Sequence, residues 1–219
     1  MEAGSPPSPG PFEALVFDYD GTLVASRPAD ETAVAELIAA DPTAAPGAAT
    51  FWRHDGEPLA SRIELAWPGR VSEILALFER QTTPVIFPGI ARVLGELARL
   101  GLRLGVVSSR RVAQLEQSLQ ATGLHRHFPV VIGLDDVGEP KPSPEGLLLA
   151  LRRLDVDPSR AVYVGDNELD VEAGHRAGVT VWRALWGLPK PHPADPRPDG
   201  TVLLRRPGEV TERLARVRP

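Results

Sequence analysis

The sequence predicts an α/β fold, a doubly wound parallel sheet with a small α-helical insertion after its first strand. Short valine-rich apolar runs alternate with segments whose apolar residues recur at spacings of three and four, as strands and covering helices do in turn. Polar residues stand just past four of these runs, where open parallel sheets hold their ligands. One interval, 26–86, breaks the rhythm with helical segments and no strand.

Along the chain, residues 1–12 are dense in proline, glycine and serine and read as a disordered leader. The core is expected over 13–25 and 87–219. Its strands are ALVFD (14–18), LRLGVVS (102–108), PVVIG (129–133), AVYVG (161–165) and VTVWR (179–183). Between them PGIARVLGELARLG (88–101), RRVAQLEQSLQATG (110–123), SPEGLLLALRRLD (143–155) and ELDVEAGHRAG (168–178) read as helices that mostly stop at glycine. TVLLRR (201–206) and EVTERLARV (209–217) predict an edge strand and a closing helix. In the insertion, ADETAVAELIAA and RVSEILALFERQ are helical and flank a stretch rich in alanine and proline. The run FWRHDG (51–56) reads first as aromatics packing this small unit, and second as a substrate contact. The proline-dense segment 187–200 reads as a long loop.

With 219 residues, 42% of them hydrophobic, the chain can bury the core of one domain carrying a modest insertion. The net charge of -5, without a long basic run, argues against a nucleic-acid partner. Neither an apolar leader nor the roughly 18 uninterrupted apolar residues of a membrane span are found, so a cytoplasmic protein acting on a small soluble molecule, as monomer or homodimer, is expected. The chain has no cysteine, so any metal must be held by oxygen or imidazole. All the basic residues except Lys141 and Lys190 are arginine, which makes a lysine at a special position conspicuous.

The first strand ends FDYDGTLV, and residues two apart in extended chain point to the same side, so Asp18 and Asp20 face one way. Gly21 allows a sharp turn and Thr22 offers a hydroxyl. Ser108 closes the second strand in VVSSR; Lys141 sits between Pro140 and Pro142; the fourth strand ends in Asp166, with Asp170 about one helical turn further on. Four aspartates converging on one edge repel unless a cation lies among them, and oxygen ligands favour magnesium. A lysine and a hydroxyl facing that cluster make sense if a phosphate occupies the gap. A carboxylate can then attack phosphorus, Asp18 being placed for it, while Asp20 protonates the leaving oxygen provided its surroundings raise its proton affinity.

On DYDGTLV (18–24), Ser108, Lys141 within KPSP, and GDNELD (165–170), in that order, the sequence resembles the haloacid dehalogenase (HAD) superfamily, in its phosphoglycolate-phosphatase-like branch. The resemblance spans nearly all of 13–217. It implies a Rossmann-like core with a helical cap at 26–86 and a magnesium-dependent phosphatase acting on a small phosphorylated metabolite through an aspartyl-phosphate. Carried over by position, Asp18 is the nucleophile, Asp20 the acid and base, and Lys141 a further catalytic group. Asp18, Asp20 through its backbone carbonyl, Asp166 and Asp170 would surround the metal. Ser108 and Lys141 would hold the phosphoryl group, with Ser109 and Gly21 beside them. Ala25 departs from the aspartate or asparagine of many relatives, which bears on cap contacts. A phosphomutase of the same superfamily and a non-catalytic binding protein on the same fold are the alternatives.

Overall fold

The structure, a computed structural model, describes residues 11–80, 84–188 and 199–217. Most of the expected leader, and 189–198 of the proline-dense loop, lie outside the described residues.

Six strands form one parallel sheet: β1 (Ala14–Phe17), β2 (Arg103–Val107), β3 (Val130–Ile132), β4 (Ala161–Gly165), β5 (Thr180–Ala184) and β6 (Val202–Leu204), in the order β3-β2-β1-β4-β5-β6. The order reverses between β1 and β4, which opens a crevice beyond their carboxyl ends. β1 pairs with both β2 and β4, setting Phe17 level with Val106 and Val164. All four β1 residues are buried because helices cover both faces. Side chains alternate: Leu15 and Phe17 enter one apolar cluster with α5 (Ile90–Arg99), α6 (Val112–Ala121) and α9 (Glu209–Val217). Ala14 and Val16 enter the other, with α7 (Glu145–Leu154) and α8 (Glu168–Ala177).

Between β1 and α5 lie α1 (Arg27–Ala40), α2 (Gly47–Arg53), α3 (Leu59–Ala66) and α4 (Val71–Arg80). They bury a third cluster of their own around Phe51, Ile63, Trp67 and Ile74. The chain enters and leaves this insertion through paired segments: Ala25 N donates to Val85 O at 2.8 Å, and Phe87 N to Leu23 O at 3.1 Å.

Candidate active site

The crevice gathers the ends of β1, β2 and β4 and the loop before α7. Asp18 follows β1 directly, and its backbone N donates to Val164 O at 2.8 Å, continuing the sheet pairing to the edge of the site. Asp166 follows β4. Gly21 turns the chain back at a φ of +77° with its N bonded to Val24 O, and a Cβ there would come within 2.2 Å of Asp166 Oδ2. Only glycine lets this turn press against that carboxylate.

Asn167 and Asp170 cap α8 reciprocally. Asp170 N donates to Asn167 Oδ1 at 3.1 Å, and Asp170 Oδ2 accepts from the backbone of Asn167 and of Asp166. Asp170 Oδ1 accepts from Tyr163 OH at 2.8 Å and from Lys141 Nζ at 2.7 Å. Lys141 Nζ also donates to Asp18 Oδ1 at 2.5 Å, so the ammonium bridges the two carboxylates. Asp18, Asp166 and Asp170 each offer an oxygen within 4.8 Å of the others, and all three are buried.

Electrostatics follows from this crowding. Burial pushes the Asp18 carboxyl up to about 8, with Asp170 adding to the rise and Lys141 opposing it. Burial, then the charges of Asp18 and Asp170, holds Asp166 well above the ordinary carboxylate range. Burial disfavours the Lys141 ammonium, yet Asp170 and Asp18 outweigh it and keep Lys141 charged. Asp166 Oδ1 is buried with no hydrogen-bond partner. An orphaned acceptor among oxygen donors that resist ionisation together is what a hard divalent cation would relieve, so the residues fit magnesium.

Asp20 stands apart. Its carboxylate is clasped by Arg110, Nε to Oδ2 and Nη2 to Oδ1, each at 2.7 Å. Burial alone would raise its proton affinity, but the charge and hydrogen bonds of Arg110 prevail and hold Asp20 below its ordinary value. The raised affinity that the sequence reading required of Asp20 is therefore not met in this arrangement. The condition fails because the Arg110 guanidinium stabilises the charged carboxylate and outweighs the effect of burial.

Ser108 is buried and its Oγ accepts from Arg110 N at 3.2 Å, fixing the loop after β2. Ser109 Oγ donates to Gly56 O of the insertion at 3.0 Å. Gly56 has a φ of +95°, and a Cβ there would lie 2.7 Å from the Asn167 amide, so the insertion closes onto the core at this glycine. Phe51 packs the insertion's own cluster, which agrees with the first reading of FWRHDG for that aromatic. Sequence reasoning missed Arg110, Asn167 and Tyr163. Arg110 could have been found from VVSSR, because it follows the strand-end serines directly.

A family model described as haloacid dehalogenase-like hydrolase matches residues 15–184. The chain is 33% identical over 186 residues to pyrophosphatase PpaX of Bacillus velezensis, covering 80% of this chain and 84% of the relative. It is 28% identical over 222 residues to the N-acetylmuramic acid 6-phosphate phosphatase of Pseudomonas aeruginosa, covering 94% and 96%. Similarity to the solved structure of CbbY from Rhodobacter sphaeroides in complex with phosphate has a TM-score of 0.69 at 26% identity, covering 91% of this chain and 96% of that one.

Proposed function

Because the chain belongs to the haloacid dehalogenase-like hydrolases and is a hydrolase of phosphoric monoesters, we propose that it frees phosphate from a small phosphorylated molecule through an aspartyl-phosphate on Asp18. The observation that carries this reading is the Lys141 ammonium held between Asp18 and Asp170, beside the orphaned Asp166 oxygen. Asp18 and Asp166, with Asp170 alongside and the Asp20 carbonyl near, would hold a magnesium ion, which would supply positive charge to the phosphoryl oxygens.

Asp18 Oδ attacks phosphorus as the bond to the leaving oxygen breaks, and Asp20, once released from Arg110 and protonated, gives that oxygen its proton. Water then attacks the phosphoryl group, Asp20 takes a proton from it, and the bond to Asp18 breaks to release inorganic phosphate. Lys141 neutralises charge on the phosphoryl oxygens, while the Ser108 and Ser109 loop seats the group. Asp170 and Tyr163 orient Lys141. Contact of Gly56 with Ser109 and Asn167 closes the insertion over the site and excludes water.

The relatives act, by name, on pyrophosphate and on N-acetylmuramic acid 6-phosphate, each of which carries a second acidic group besides the phosphoryl group removed. The test is phosphate release from a panel of small phosphomonoesters and pyrophosphate, with and without magnesium. Release should require the metal and disappear in Asp18→Asn protein that keeps its circular dichroism spectrum. Turnover surviving in that variant would sink the nucleophile assignment, and release without any acceptor separates a hydrolase from a mutase.

A further inference from the structure

Asp20 must address the leaving oxygen, yet the Arg110 fork occupies both of its carboxylate oxygens. While the fork holds, neither oxygen is turned to a substrate. The guanidinium in turn is poorly placed to lose its partner. Its side chain is only 25% exposed and lies over the Tyr19 ring at 5.3 Å. The insertion's Asp30, whose charge also reaches it, is itself faced by Arg62 at 3.5 Å. A cation at this depth stripped of its anion is unfavourable, so whatever draws Asp20 away must leave another anion behind.

Resting on the phosphohydrolase reading above, we propose that Arg110 is the subsite for a second anionic group on the leaving part of the substrate, a carboxylate or a phosphate, which takes the place of the Asp20 carboxylate on the guanidinium fork. The exchange conserves charge and bidentate geometry. Placement favours it as well. Arg110 lies two residues past Ser108, and Ser109 between them touches Gly56 of the insertion. A group on Arg110 thus lies between the phosphoryl subsite and the insertion, on the side of the acid, where the leaving part must go. Substrates with neutral tails leave the fork closed and Asp20 engaged.

The experiment compares kcat/KM of the magnesium-loaded protein on acidic-tailed substrates (phosphoglycolate, pyrophosphate, 3-phosphoglycerate) and neutral-tailed ones (ethyl phosphate, glycerol 1-phosphate). The wild type should favour at least one acidic-tailed compound by about 10- to 100-fold, the worth of one charge-assisted bidentate contact. Arg110→Met should collapse that ratio to within roughly threefold, and Arg110→Lys should keep part of it. Calorimetric binding of the same compounds to Asp18→Asn protein, with and without Arg110→Met, gives the contrast without turnover. Binding contrast without phosphate release from any compound overturns the hydrolytic reading and keeps the subsite. Phosphate release with no tail preference, or a preference that survives Arg110→Met, overturns the subsite alone.

Discussion

Asp30 shows how one half-buried carboxyl can reshape the stability of the whole chain. Burial, ahead of the opposing Arg62 charge, pushes it up to about 7 from an ordinary 3.8, with Asp20 and Asp55 adding to the rise and Arg110 opposing it. A carboxyl whose folded value lies above its unfolded one binds more protons when folded, so between those two values stability falls as pH rises. Asp30→Asn removes that slope. Because the side chain is 22% exposed, solvent screening trims the full shift, and the wild type should lose about 1–3 kcal/mol relative to the variant across this window. Thermal or urea unfolding of both proteins at several pH values checks this; parallel curves would show Asp30 ionised throughout. At the same scale, the chemistry of Asp18, Lys141 and Asp166 was legible because strand-end position and residue type announce it. For Arg110 the run VVSSR offered only its place beside the strand-end serines, because its role lies in a contact with Asp20 across 90 residues.

The strands of the sheet were legible to within a residue or so, since valine-rich runs buried on both faces have few other conformations open to them. The edge strand β6 and closing helix α9 were found in the weaker pair 201–206 and 209–217. Within the insertion only α1 and α4 were read. The alanine- and proline-rich stretch between them hid α2, of seven residues, and α3, of eight. Helices this short are marginal alone and stand through packing, here of Phe51 and Ile63. The link between α2 and α3 carries the contact with the core. Gly56→Ala should strain a φ of +95° and force the Asn167 amide aside, destabilising the fold by about 1–2 kcal/mol. Its sharper effect should be on closure. We expect kcat/KM to drop by roughly 10²-fold, since small misplacements of a closing element weigh heavily on catalysis. Steady-state kinetics beside a melting curve tests this, and a variant that loses stability but no activity would remove Gly56 from the closure.

At the scale of the whole molecule, the three apolar clusters share no residue, and the insertion's cluster draws on none of the sheet. Replacing 27–84 with a short glycine-serine linker should therefore leave a folded core that melts cooperatively, with turnover lost by roughly 10²-fold or more as water enters the site. Aggregation or a molten spectrum would mean that the core depends on the insertion. The paired tether at Ala25 and Val85 adds something to this independence. Because the two crossings run side by side, one contiguous stretch of gene can be exchanged without altering the path of the chain through the catalytic floor. Recombination between related enzymes at these two points would bring in a foreign roof whole, so chimaeras joined there should keep this protein's hydrolytic machinery and its Arg110 contact while taking from the donor what the roof adds to substrate choice.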